Sequence, residues 1–208
     1  LPARPGQMSR KLDRLRARPV QPPSAQNPID HTEILDRIAY ALQVRGALED
    51  GRPMPSGAGP FPGAPMASPT KLKRTLGTGH SGWLALDAYA VPGKAVKVTI
   101  ARPLEQSRLQ IGSHTDTIWH LNKWERPPAV VASANLDSTT ATLRNPFGGL
   151  IYLALDQPLK EPLTVEIEGA APAPGWRTGV DWQKVDKTSA PWAEIEGERV
   201  ILTMPSKW

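Results

Sequence analysis

The 208-residue sequence contains no cysteine. That excludes disulfide scaffolds, thiolate zinc sites and cysteine nucleophiles. No apolar run approaches the ~18 residues that a membrane-crossing helix needs, so no membrane span is expected. The sequence also lacks HExxH, a Walker-type phosphate loop and any pair of carboxylates spaced for acid–base work. Hydrophobic residues make up only 39%. That is lean for a chain folded throughout, so a polar, Pro-rich portion is expected outside the core.

Charge is concentrated at one end. The net charge is +5. Residues 1–20 alone hold Arg4, Arg10, Lys11, Arg14, Arg16 and Arg18 against Asp13, which is 6 − 1 = +5. The remainder has 25 − 6 = 19 basic and 20 − 1 = 19 acidic residues, so it is neutral. The high pI therefore describes a short arm without aromatic residues, and no nucleic-acid partner is expected. A chain that starts at Leu1 with no charged-then-apolar leader reads as a processed or excised piece.

Residues 1–28, rich in Arg and Pro, are expected to form a disordered basic arm. Residues 29–50 form the amphipathic helix of the chain. Asp30 is placed as cap, with Glu33 completing a capping-box pattern. Ile34, Leu35, Ile38, Ala39 and Leu42 make its apolar face, and Glu33 pairs with Arg37. Residues 51–70 carry too many prolines and glycines for helix or central strand and read as a linker.

Residues 71–208 contain all seven tryptophans. Short alternating runs are separated by turn residues. Strands are expected at Trp83–Val91, Ala95–Ala101, Arg108–Gly112, Ala129–Ala134, Thr140–Arg144, Phe147–Leu155 and Leu163–Glu168. Trp192–Glu196 and Arg199–Thr203 are expected to pair across Glu196-Gly197-Glu198. Many short strands at roughly ten-residue spacing give a mainly β chain, a β-sandwich with one N-terminal helix and a Pro-rich linker.

Several clusters carry possible chemistry. Gly77-Thr-Gly79-His-Ser-Gly82 spells GxGxxG, but a strand follows where a nucleotide site needs a helix, so it reads as a flexible loop. His114, Asp116 and His120 are weak metal candidates, because 114 and 116 share a strand face and 120 reaches the others only through a turn. Polar turn hydrogen bonding is the simpler account of them. Trp119, Trp124 and Arg126 suit contact with a sugar, or act as packing anchors. In Asn145-Pro-Phe147-Gly148-Gly149-Leu-Ile-Tyr152, adjacent glycines mark a bulge or a close backbone approach. The approaching backbone is either a neighbouring strand or a substrate peptide on an edge.

Four blocks taken in order, LDAYAVPGKAVKVTI, QIGSHTDTIWHLNKWERPP, NPFGGLIYLAL and APWAEIEGERVILTMPS, resemble the non-catalytic front half of the enhancin-like, mucin-degrading zinc metallopeptidases of gluzincin type. The resemblance covers about Phe61 to Trp208. It implies a β-sandwich subdomain ahead of a catalytic domain, the domain's partner within the same polypeptide. Zinc is held in that downstream domain by HExxH and a later Glu. The family acts on heavily glycosylated proteins, so a secreted or cell-surface location of bacterial type and a glycoprotein or glycan partner are implied. The matched region precedes the catalytic residues, so none carries over and the chain alone is expected to be inactive. The resemblance also lends Asn145, Gly148, Gly149 and Tyr152 a role in substrate alignment. Alternatives are a glycan-binding module using Trp119 and Trp124, or a structural or adhesion domain without ligand.

Overall fold

The computed structural model describes residues 5–54, 58–177, 189–197 and 199–207; Glu198, Trp182 and Trp208 lie outside the described residues. In chain order the elements begin with α1 (Pro5–Arg16), β1 (Ile29–Asp30), α2 (Ile34–Glu49), β2 (Thr70–Leu76), β3 (Gly82–Ala90) and β4 (Ala95–Ile100). They continue with β5 (Arg108–Ile111), β6 (Lys123–Trp124), β7 (Ala132–Asn135), β8 (Thr140–Arg144), β9 (Gly149–Leu155) and β10 (Leu163–Pro172). The last are β11 (Gly175–Arg177), β12 (Trp192–Glu196) and β13 (Ile201–Pro205). The chain divides into two compact units, Leu1–Phe61 with His114–Val130, and Pro62–Ser113 with Val131–Trp208. The segment around Trp119 and Trp124 therefore belongs with the N-terminal residues and not with the strands that flank it in sequence.

In the N-terminal unit, residues 5–28 of the basic arm are described, and they hold a helix where a disordered arm was expected. α1 forms from Lys, Arg, Gln and Leu, all good helix formers, with Pro5 in the first turn where its missing N–H is harmless. Arg14 and Arg16 sit in its last turn, where the helix dipole favours cations. Leu12 and Leu15 lie three apart on one half-buried face. Gln43 of α2 donates through Nε2 to the carbonyls of Arg16 (3.1 Å) and Arg18 (2.7 Å). These bonds serve acceptors that a helix end leaves unpaired.

α2 begins three residues later than its Asp30 cap implied, with Glu33 at the cap position. Half of the capping box is present, since the Asp30 N–H donates to Glu33 Oε2 at 2.7 Å. The Asp30 carboxylate instead accepts from the Thr32 N–H (3.0 Å) and hydroxyl (2.9 Å), which holds its pKa below the usual carboxylate range. The buried face of α2 is Ala39, Tyr40, Gln43, Val44 and Ala47. The expected core residues Ile34, Leu35 and Ile38 are instead exposed. Packing against α1 selected a different stripe from the one of highest hydropathy.

The second unit is built on an antiparallel sheet ordered β7-β5-β9-β3-β10-β4-β8. β2 pairs along the first part of β10, and β3 along its last residues. β7 and β8, the ends of this order, lie beside each other, so the sheet curls nearly closed. Its interior takes the apolar half of each alternation: Val96, Val98 and Ile100 on β4, and Leu163, Val165 and Ile167 on β10. A smaller sheet, β11-β12-β13, supplies the second layer. Ala173, Ala190, Trp192 and Ile201 pack on Ala85, Tyr89, Leu150 and Tyr152 of the large sheet. The architecture is the expected mainly β sandwich.

β2 is a strand that was not among those expected, the first of which began at Trp83. Its Lys71 and Lys73 alternate outward on a strand, and Lys71 bridges Glu166 (3.1 Å) and Glu168 (3.4 Å) on β10. The Pro-rich stretch that precedes it is pinned rather than free. The Tyr89 hydroxyl donates to the Gly63 carbonyl (2.9 Å) and Trp192 Nε1 to that of Pro62 (2.8 Å).

Candidate functional site

The two groups of site candidates fall in different units. In the N-terminal unit, Trp124 is buried and meets Trp119 edge to face at 5.5 Å. The guanidinium of Arg37 lies 4.0 Å from the Trp124 ring centre and donates to three carbonyls, Asn122 (3.0 Å), Leu121 (2.7 Å) and Trp119 (3.4 Å). That draws Arg37 away from the expected Glu33 pair. A planar five-donor group suits a turn that presents several carbonyls at once. Trp124 is thus an internal packing anchor, and only Trp119 keeps a partly exposed surface for a sugar.

Arg126 donates to the Asp116 carboxylate (2.6 Å) and stands over the Phe61 ring. The His114 ring packs edge-on against Phe61 at 4.8 Å. Burial lowers the His114 pKa, and the positive charge of Arg126 lowers it further, partly offset by Asp116. This donor set does not fit zinc. The Asp116 carboxylate is engaged by an arginine, and no three His, Asp or Glu side chains converge among the described residues. His114, Asp116 and His120 are accordingly read as parts of a polar and aromatic turn.

In the β unit, Asn145 is a buried clamp. Its Nδ2 donates to the Ile111 carbonyl (3.0 Å), and its Oδ1 accepts from the Phe147 N–H (2.9 Å). Gly148 (φ +70°) and Gly149 (φ +133°) follow. A Cβ on Gly148 would sit 2.5 Å from the Ala90 carbonyl oxygen, and one on Gly149 would sit 3.0 Å from Gly112 Cα. The close backbone is therefore the chain's own. β9 is paired on one side with β3 and on the other with β5, so it is a central strand with no edge to offer a substrate peptide. This corrects the expectation that the glycines admit substrate, and the physical need for glycine is steric.

Tyr152, on the same strand, points into a group of residues with no obvious link in sequence. Glu194 of β12 is buried beneath the small sheet. Desolvation pushes its pKa up to about 7; Asp87 and Glu196 add to the rise, while Tyr152 and Arg74 oppose it. Burial, reinforced by the Glu194 charge, raises the Tyr152 pKa, and Ser113 and Thr203 act in the opposite sense. Neither Glu194 Oε1 nor the Tyr152 hydroxyl closes a hydrogen bond of good geometry among the described residues.

Around them runs an ion network. Arg74 of β2 donates to Glu196 at 2.7 Å and lies 3.6 Å from Asp87. Arg177 of β11 donates to Asp87 and stands 4.0 Å from Glu196. The Arg74 side chain is only 10% exposed. Asp87 occupies a bulge in β3 with φ 52°, a left-handed conformation that Asp tolerates better than most residues. A β-carbon on Gly175 would come within 2.7 Å of its carboxylate, so glycine there makes room for the network. A cavity of about 260 Å³ opens beside it, lined in part by Arg74, Gly77, His80, Leu84 and Glu196. The GxGxxG loop, through Gly77 and His80, thus rims this cavity, and a strand follows it in place of the helix that a nucleotide site needs.

These charged residues were not singled out in the sequence, because they come from four strands and up to 122 positions apart. One signal was available. Trp192, Glu194 and Glu196 alternate on one face of a strand, and a face that buries Trp192 carries Glu194 inward with it.

The chemistry present is therefore structural and electrostatic. It includes a buried carboxyl able to hold a proton near neutrality, but no nucleophile–base pair and no metal cage among the described residues.

Comparison with known proteins gives the lineage. Residues 69–168, which contain every strand of the large sheet except the end of β10, match the family model for the N-terminal domain of M60-like peptidases. The TRPM8 channel-associated factor homolog of Danio rerio is 34% identical over 156 residues, 70% of this chain and 17% of that protein. TRPM8 channel-associated factor 3 of Rattus norvegicus is 29% identical over 151 residues, 69% of this chain and 16% of its own length. Among solved structures, the IMPa metallopeptidase from Pseudomonas aeruginosa matches 98% of this chain and 26% of its own, with 21% identity and a TM-score of 0.60. IMPa solved with an O-glycopeptide matches 99% and 26%, with 20% identity and a TM-score of 0.59. At that identity the likeness is one of fold. The chain thus spans about a sixth of the curated relatives and a quarter of these structures. Within those bounds the assignment is that residues 69–168, just under half of the chain, form an N-terminal domain of M60-like peptidases.

Proposed function

We propose that the chain is the non-catalytic β portion of a secreted or cell-surface zinc metallopeptidase that acts on O-glycosylated proteins such as mucins. Its role is to brace a catalytic domain that follows in the same polypeptide. The observation that carries this reading is the family match over residues 69–168, the region that folds as the large sheet. The fold likeness to IMPa, solved with an O-glycopeptide, supports the substrate class. The zinc belongs to the catalytic domain; among the described residues of this chain no three His, Asp or Glu side chains converge to hold it. Substrate alignment by this portion falls to Trp119, which keeps a partly exposed surface, and not to the strand of Gly148 and Gly149.

The test uses the whole polypeptide. Its coding sequence past Trp208 is expected to contain HExxH followed by a Glu. The expressed protein is expected to cut an O-glycosylated peptide, read by mass spectrometry, and to lose that activity with a zinc chelator. The 208-residue chain alone is expected to leave the peptide intact. A polypeptide without HExxH, or one that cuts the unglycosylated peptide equally well, overturns the reading.

A second reading rests on a separate observation. The channel-associated factors are more similar in sequence, at 34% and 29%, than IMPa is at 21%. On that reading the domain belongs to a protein that binds another protein and does not cut it. The same HExxH search discriminates the two.

A further inference from the structure

The most apolar stripe of α2 faces outward. Ile34 is 63% exposed, Leu35 57% and Ile38 42%. Positions i, i+1 and i+4 of a helix form one continuous face, here on its first two turns. Leu121, whose carbonyl Arg37 of the same helix holds, is a further exposed apolar side chain, at 42%. Scattered apolar residues on a surface are ordinary; a contiguous group on one rigid helix marks a contact face. The helix has no need of this face for its own packing, because Tyr40, Val44 and Ala47 already seat it.

The occupant is indicated by how much polypeptide lies outside the match. The 98% match to IMPa leaves too few residues out for α2 to escape it, yet it amounts to 26% of that chain. The same arrangement of elements thus occurs there within a polypeptide of which the larger part lies elsewhere. A contiguous apolar face on a rigid helix, rimmed by polar residues, is suited to be covered by another part of the same polypeptide.

We propose that the Ile34–Leu35–Ile38 face of α2 is the docking surface for the remaining part of the same polypeptide. The proposal rests on the peptidase reading above for the identity of that part, its catalytic domain.

The absence of cysteine makes the test direct. Leu35→Cys, with Ile38→Cys as a second variant, is introduced into the 208-residue chain and into the whole polypeptide. Maleimide modification of the peptide that carries the new cysteine is followed by mass spectrometry. The rate is expected to be at least tenfold lower in the whole polypeptide than in the 208-residue chain. Equal rates at both positions overturn the proposal. Protection in the 208-residue chain that grows with its concentration assigns the face to a second copy and likewise overturns it. Failure of the peptidase reading is scored separately. Protection without peptide cleavage keeps the docking face and removes the peptidase, whereas cleavage without protection does the reverse.

Discussion

The two units hold themselves together by different means. The β unit is a nearly closed sheet with an apolar interior, sealed on one side by a second layer and an ion network. The N-terminal unit has two short helices, and a two-residue strand pair that joins Ile29 to Trp124. Arg37 lashes it together by gripping a turn and an indole. In the first, stability is spread over many strand pairs that fail together. In the second a smaller buried set, with Ile29, Tyr40, Val44 and Trp124, is tied together by the contacts of Arg37.

That contrast can be broken or sharpened by substitution. Gly148→Val places a side chain 2.5 Å from a carbonyl oxygen at φ +70°. It is expected to cost at least ~4 kcal/mol and to unfold the whole β unit, read as loss of its cooperative melt by circular dichroism. A small, local effect would mean that the β unit is not cooperative.

Arg74→Ala is expected to cost about 3 kcal/mol, the low end for breaking a buried pair, because Glu196 loses its 2.7 Å partner while Arg177 still pairs with Asp87 and stands 4.0 Å from Glu196. Arg74→Met, which refills the volume, is expected to unfold at the same low denaturant concentration or only slightly above it, since Glu196 still lacks its close partner. Recovery by Met to near wild-type stability would show that packing, not ion pairing, is what Arg74 contributes.

Glu194 gives the pH dependence. Its folded pKa of about 7 lies above the ordinary carboxyl value of 4.5. Between these values the folded state holds a proton that the unfolded state has released. Stability therefore falls as pH rises from about 4.5 and levels off above about 7. The shift corresponds to roughly 3 kcal/mol. Glu194→Gln is expected to remove most of that slope and to stabilise the protein at pH 8, checked by urea melts at pH 5 and pH 8. An unchanged slope would place the titration elsewhere.

The smallest effect is expected in the N-terminal unit. Arg37→Ala is expected to cost about 1–3 kcal/mol locally. It should raise hydrogen exchange in α2 and around Trp124 while leaving the β unit's melt unchanged. Arg37→Lys is expected to behave similarly, since an ammonium cannot address three carbonyls and an indole at once. A drop in the β unit's melting temperature would join the two units energetically and end the contrast.

Much of the β unit was legible before any coordinates. Val96, Val98 and Ile100, and Leu163, Val165 and Ile167, alternate with polar residues, and a period of two states which face is buried. β2 was hidden because Lys71 and Lys73 on a flank look like a solvated linker until Glu166 and Glu168 lie opposite them. α1 was hidden because its Arg and Lys suggest a tail, and only Gln43 and a partner helix show why it folds. The face of α2 was misread for a related reason: periodicity identifies an apolar stripe, but not what it packs against. The ion network was illegible because Arg74, Asp87, Arg177 and Glu196 come from four strands.

The sequence by itself determined the mainly β class, the strand alternation, the need for glycine at 148 and 149 and the family, because each is encoded in local spacing or in a contiguous motif. The run apolar on both faces already placed β9 centrally or against another layer; only the tertiary structure decided that β3 and β5 flank it, that residues 114–130 join the N-terminal unit and that Glu194 is buried among charges. It also decided which side of α2 is left open. Strand order and helix seating depend on contacts between residues far apart in the chain, and neither composition nor periodicity carries that information.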